Sequence, residues 1–218
     1  MTYEQLRQDA SIRALIQQAD QSLVTLGFTE HSFAHVGRVA DTAGYILREM
    51  GYSAHEIELV CMAAYLHDIG NLVNRVEHSQ SGATMAFCLL EKTDMPAEDI
   101  AVIVTAIGNH DEGTGVAVNP VSAALILADK SDVRRSRVRN KDIASFDIHD
   151  RVNYSVEESR LVIDDTHTTI TLQLTVDTQY SSVMDYFEIF LGRMVMCRKA
   201  AEYLGLSFKL LINGQPLM

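Results

Sequence analysis

The chain has 218 residues, 47% of them hydrophobic and 22% charged, with a formal net charge of −11 at pH 7. This is the balance of an ordinary globular protein long enough to bury a substantial core, and its negative charge argues against nucleic acid as a partner. No apolar run approaches the ~18 residues of a membrane span, so no membrane partner is expected either.

The N-terminal stretch "MTYEQLRQDASIRALIQQAD" is amphipathic and mixed in charge, which reads as helix rather than signal peptide. Cys61, Cys88 and Cys197 are far apart with no CxxC; Cys61 and Cys88 read as small core residues of a cytoplasmic protein. Val36, Val39, Ala43, Ile46 and Met50 recur at helical spacing and are closed by Gly51. Ser53 to Glu56, "SAHE", is a capping box that opens the next helix, which runs through Ile57, Cys61 and Ala64 to "LHDIG". Further helices are expected over about Ser81 to Leu90, from a cap at Asp94 with Pro96 in the first turn, and from Asn119 with Pro120 at the first helical position.

After about residue 150 the pattern changes. Thr168 to Val176, "TTITLQLTV", alternates in part and is rich in branched residues, so it reads as a strand, with "SRLVIDDTHTT" as a partner strand and turn. Residues 181 to 204 read as one long helix ended by Gly205, and "SFKLLING" as a short final strand. The expected architecture is mainly α: a helical domain over residues 1–150 and a β-β-α-β appendage over 151–218, its short sheet antiparallel and its helix long.

Several ionisable residues fall on apolar rows. Asp68 continues the row Ile57, Cys61, Ala64; His110 continues Ile100, Ile103, Ile107; Asp129 lies one turn past Leu125; His35 lies one turn before Val39. A buried carboxylate must be paired, protonated or bound to metal. Any one of these residues is readily explained as a core histidine or a helix cap. Together they read as one polar centre inside a helical bundle. His31 is assigned to a helix start, and His149–Asp150 to a structural or interface role.

At these residues the chain resembles the HD-domain metal-dependent phosphohydrolases, whose H…HD…D pattern is matched by His35 in "HVGRVA", His67–Asp68 in "LHDIGN" and Asp129 in "LADKSD". His78 in "HSQSGA" and His110 in "IGNHDE" resemble the additional ligands of branches that hold two metals; for His78 a solvated loop histidine is the alternative. The resemblance covers about residues 28 to 135 and implies an HD-type helical bundle. It implies that His35, His67, Asp68 and Asp129 hold a first divalent transition metal, and that Asp68 bridges to a second held by His78 and His110. Ligands of this kind, without thiolates, suit iron or manganese, with zinc, cobalt and nickel as further candidates.

Lys130 follows a ligand directly and reads as a phosphate contact. Residues 130 to 141, "KSDVRRSRVRNK", carry six of the 18 basic residues; on a continuing helix Lys130, Arg134, Arg137 and Lys141 form a basic stripe suited to a phosphorylated substrate, or else a solvated or subunit-facing surface. "GNHDEGTG" reads as a pliable rim with Asp111 or Glu112 handling a proton or contacting substrate, and Asn71 as a substrate contact or a helix end. The apolar stripe in "VMDYFEIFLGRMVM" reads as core or as the surface of a homodimer.

The resemblance therefore implies hydrolysis of a phosphoester or phosphoanhydride in a nucleotide-like substrate, symmetric cleavage of dinucleoside polyphosphates being one candidate. A cyclic-dinucleotide phosphodiesterase is disfavoured, since no Gly-Tyr-Pro follows the histidines. Two alternatives stand beside it: a di-iron oxygenase acting on a polyol or phosphonate, and a non-catalytic nucleotide or phosphate sensor.

Overall fold

The computed structural model describes residues 1–217 of the chain. The helical body comprises α1 (Tyr3–Gln8), α2 (Ala10–Thr25), α3 (Phe33–Glu49), α4 (Ala54–Leu66), α5 (His78–Leu90), α6 (Ala97–Gly108), α7 (Pro120–Ser131) and α8 (Ile148–Ser155). The appendage follows as β1 (Val156–Ile163), β2 (Thr169–Val176), α9 (Val183–Tyr203), β3 (Ser207–Ile212) and β4 (Gln215–Pro216).

Local chemistry sets most of the boundaries. Gly51, at φ +75°, lets the chain leave α3, and the reciprocal Ser53–Glu56 capping box starts α4. Asn119 caps α7 with Ser122 closing a second box and Pro120 at the first position. The cap expected at Asp94 does not form. Pro96 takes that place with an extended backbone, and Glu98 and Asp99 supply negative charge to the first turn.

Helices α4 and α7 are the centre of the bundle. From Leu59 to Leu66 nearly every α4 side chain is buried, so its inner surface is broader than the stripe through Ile57 and Cys61, both of which are only half-buried. Helix α7 is buried from Val121 to Ala128, and its Ala123, Ala124 and Ala128 let neighbouring helices approach closely. Cys88, expected in the core, is exposed; Cys197, on α9, is buried.

The four-stranded sheet has the order β1-β2-β3-β4 and is mixed rather than antiparallel. β1 and β2 pair antiparallel, but β2 and β3 run parallel because α9 is the crossover between them. Asn213 and Gly214, both at positive φ, turn β3 into β4, an Asn-Gly hairpin signal that extends the expected final strand. Ile170, Leu172, Leu174 and Val176 alternate inward, as do Phe208, Leu210 and Ile212. The appendage shares one continuous apolar core with the body, and α8 runs across the boundary expected at residue 150. Polar stitches reinforce the contact: Ser159 on β1 donates its hydroxyl to Ser131 O at 2.6 Å, and Arg38 on α3 donates to Ser159 O at 2.9 Å.

Candidate metal centre

Five helix ends deliver the six expected ligand residues to one place. His35 lies in the first turn of α3, behind the Ser32 cap. His67 ends α4 and Asp68 leads into a short 3-10 turn, Ile69–Leu72. His78 is the first residue of α5, His110 follows the end of α6, and Asp129 sits in the last turn of α7.

The donor atoms converge. His35 Nε2 lies 3.5 Å from Asp68 Oδ2 and 3.4 Å from Asp129 Oδ1; His67 Nε2 lies 3.3 and 3.6 Å from the same two oxygens. His78 Nε2 is 3.5 Å from Asp68 Oδ1 and 3.1 Å from His110 Nε2. Two sets, His35–His67–Asp129 and His67–Asp68–His110, have all their ligand atoms within 4.8 Å of one another. His78 is therefore buried beside Asp68 and His110, not a solvated loop residue.

Each imidazole is oriented from behind. Nδ1 faces a backbone carbonyl in His67 (Ala64, 2.6 Å), His110 (Ile107, 2.6 Å) and His78 (Arg75, 3.1 Å). In His35 it faces a carboxylate instead, Asp132 Oδ2 at 2.7 Å. With the proton on Nδ1, every Nε2 lone pair points inward. Among the described residues the buried Nε2 atoms of His35 and His67 have no hydrogen-bond partner. Orphaned inward lone pairs beside the buried Asp68 and the part-buried Asp129 carboxylate fit a divalent cation.

Without a cation the site polarises itself. Burial opposes charge on His67, yet the Asp68 and Asp129 carboxylates push it up to about 10. His110 is driven the other way, to about 3, by burial and by the positive charge of His67 and Lys130. Burial works against ionised Asp68 and Asp129 as well, but His67 for the first and Lys130 for the second hold them well below the carboxylate range. A cation held by these side chains would take over the role those protons play.

A cavity of about 400 Å³ opens over the centre, with Asp68, His78, His110 and Asp129 on its floor. Arg75, Lys130, Arg137 and Arg193 bring positive charge to its walls. Lys130 is buried and lines the cavity, its Nζ 2.8 Å from Asp129 Oδ2. The expected basic stripe does not form. Helix α7 stops at Ser131, where Asp132 adopts ψ 70°, and the following residues fold back. Arg134 is drawn to Glu30 at 3.0 Å and Asp132 at 2.9 Å, buried Arg137 donates to the carbonyls of Glu30 and Asp132, and Lys141 is exposed.

Asn71 is buried, is not among the residues lining the cavity, and donates to Asp68 Oδ1 at 2.9 Å, which orients that carboxylate. Asp111 Oδ1 lies 4.0 Å from His78 Nε2 at the edge of the centre. Glu112 is tied between Lys130 Nζ at 3.4 Å and Arg193 Nε at 2.5 Å. Burial raises its carboxyl, but Lys130 and Arg193 bring it down to about 2, a poor match for proton transfer near neutrality. The rim is tight rather than pliable at Gly115, where a Cβ would lie 2.3 Å from Asn109 O.

Three important residues carry no motif. Asp132 is buried and also meets Arg38 Nε at 3.2 Å; its place one turn past Asp129 was the only hint. Arg75 Nη1 stands 3.3 Å from His78 Nε2, and Arg193 arrives from α9, more than sixty positions past the last ligand. His31 and His149–Asp150, assigned no ligand role, line the cavity.

The chain is 24% identical over 181 residues to an uncharacterized protein of Methanocaldococcus jannaschii, covering 72% of this chain and 69% of that one. A crystal structure described as a predicted HD superfamily hydrolase, from an uncultured Thermotogales bacterium, aligns with a TM-score of 0.43 at 22% identity, over 60% of this chain and 73% of that one. The sequence model of the HD domain matches residues 32–152, more than half of the chain and all six converging side chains: the protein belongs to the HD-domain family.

Proposed function

We propose that the protein is a metal-dependent hydrolase of phosphoester or phosphoanhydride bonds in a small, nucleotide-like substrate. The observation that carries this reading is the convergence of four inward Nε2 atoms and two carboxylates on a cavity floor flanked by a buried lysine. His35, His67, Asp68 and Asp129 would hold one divalent ion, iron or manganese being the best match to these donors, and His78 and His110 would hold a second through Asp68. A bound ion would acidify a water and withdraw charge from phosphoryl oxygens.

The protein's own part follows from its geometry. Lys130, kept protonated by Asp129 and Glu112 against the cost of burial, presents fixed positive charge where a phosphoryl group would lie. The wall of arginines favours an anionic substrate despite the acidic whole. Asp111, at the edge of the centre, is placed to accept or return a proton. Phe28, half-exposed at the cavity with Arg75 stacked 5.7 Å from its ring, offers a planar surface to a base.

The test is reconstitution of chelator-treated protein with manganese or iron(II), followed by phosphate release from a panel of nucleoside mono-, di- and triphosphates, dinucleoside polyphosphates and an aryl phosphate. Metal-dependent turnover of at least one compound, lost in Asp68→Ala, is expected. Metal-loaded protein that binds nucleotide but releases nothing would point to a sensor, and dioxygen uptake with a polyol or phosphonate to an oxygenase; either result removes the hydrolase reading.

A further inference from the structure

The appendage lies beyond the matched family region, yet one of its side chains reaches the cavity. Arg193 projects from the middle of α9 with its guanidinium carbon 4.3 Å from the Phe190 ring centroid, so the ring fixes the plane of the fork. Its Nε faces Glu112 Oε1 at 2.5 Å, and the other oxygen of Glu112 faces Lys130 Nζ at 3.4 Å. Lys130 is joined in turn to Asp129 at 2.8 Å. An alternating chain of charges, Asp129–Lys130–Glu112–Arg193, thus runs from the metal centre to the appendage.

Both cations line the cavity, whereas Glu112 does not. Glu112 is therefore placed to hold them rather than to plug the site. Glu112 meets the Nε edge of Arg193 most closely. Among the described residues no acceptor takes Arg193 Nη1 or Nη2, although the side chain is only about a quarter exposed. A partly buried, oriented fork whose Nη donors stay accessible beside a buried lysine is a recognition element for a tetrahedral oxyanion.

We propose that Arg193 is a phosphoryl-binding residue, its two Nη groups and Lys130 Nζ gripping non-bridging oxygens of the substrate, with Glu112 and Phe190 as the positioning residues that aim it. The appendage then completes the substrate site. This rests on the phosphohydrolase reading only for the identity of the group bound; the oxyanion site itself does not require turnover.

The experiment measures inorganic phosphate binding to the full-length, manganese-loaded protein by calorimetry, in the wild type, Arg193→Gln, Arg193→Lys and Glu112→Gln. Arg193→Gln should weaken phosphate binding by about 10–100-fold, the loss of a bidentate charge-assisted contact, with metal content unchanged. Arg193→Lys, which keeps the charge and loses the fork, should fall between it and the wild type. Glu112→Gln should weaken binding by a smaller factor while both cations remain. Thermal melts of each variant identify any that fail to fold, and for those Arg193→Lys carries the comparison. Wild-type protein with no phosphate affinity at millimolar concentration overturns the proposal. So does an Arg193→Gln protein that melts lower but binds phosphate within about twofold of the wild type, because Arg193 is then only a staple between α9 and the rim. Arginine-dependent phosphate binding without hydrolysis of any ester sustains this inference while removing the hydrolase reading; hydrolysis indifferent to Arg193 does the reverse.

Discussion

Asp132 shows how a residue outside the ligand set governs it. His67, His78 and His110 lean on neutral carbonyls of their own helix ends or turns, but His35 leans on an ionised carboxylate from another segment. Burial opposes that charge, yet His35, Arg137 and Arg134 keep the Asp132 carboxyl far below its usual range. Among the four imidazoles His35 is thereby the one whose Nδ1 faces a carboxylate, which makes its Nε2 a more basic donor than a carbonyl partner would. Asp132→Asn preserves shape and removes the charge, and metal affinity, read by competition with a chromophoric chelator, should fall about 10–100-fold. An unchanged affinity would mean that the pair serves only to tie α3 to the turn after α7. Four of the candidate ligands, His35, Asp68, His110 and Asp129, were readable in the sequence because desolvation makes an ionisable residue on an apolar row expensive, and His67 and His78 followed from the family order alone. Asp132, Arg75 and Arg193 were not readable, since what they do depends on which segments fold against each other. Asn71 and Glu112 sit next to ligands in the chain, yet they orient Asp68 and Lys130 rather than face the cavity.

At the level of elements, capping chemistry foretold α4 and α7 well, because a capping box is complete within four residues. The basic stripe failed for the complementary reason: whether α7 continues past Ser131 depends on Asp132 being captured by His35 and Arg38 of α3, which are tertiary partners, together with Arg134 and Arg137 of the turn itself. The mixed sheet was hidden likewise, since strand direction is settled by the α9 crossover and not by alternation. The most demanding contact between elements is that of the 3-10 turn Ile69–Leu72 with α5. A Cβ on Gly70 would stand 1.9 Å from His78 O and 2.4 Å from Gly82 N, both backbone atoms that no rotamer can move aside. Gly70→Ala should therefore cost about 1–3 kcal/mol or more of stability, and because it pushes the start of α5 away it should also lower the metal bound through His78. Gly192, exposed on α9 with nothing within 4 Å of its would-be Cβ, makes the matched control: Gly192→Ala should gain about 0.5–1 kcal/mol from helix propensity alone. Chemical denaturation of both variants checks the pair; equal effects would show that the approach at Gly70 has slack.

Across the whole molecule, protons and metal compete for one buried centre, and stability should record the competition. In the chelated protein burial holds His110 at about 3 and lowers His78 too, against an ordinary value of 6.5. The unfolded chain then binds protons that the folded chain refuses once pH falls below 6.5, and each such proton removes about 1.4 kcal/mol per pH unit. His35 and His67 work in the opposite sense. Burial disfavours their charge, but the surrounding carboxylates raise both, His67 to about 10. Their contribution is complete below 6.5 and is lost as pH rises toward the folded value. Stability of the chelated protein should accordingly peak near pH 6.5, fall on the acid side through His78 and His110, and fall on the alkaline side through His35 and His67. Below about pH 4 the depressed carboxyls of Asp68, Asp129 and Asp132 steepen the acid loss. Metal reverses the alkaline limb, because an ion that takes the Nε2 lone pairs leaves His35 and His67 no proton to lose. Melting temperatures measured from about pH 5 to 9 with chelator and with manganese should therefore diverge most above neutrality, the loaded protein rising or level where the chelated one declines. Parallel curves across that range would show that the imidazoles around Asp68 and Asp129 do not exchange protons for a cation.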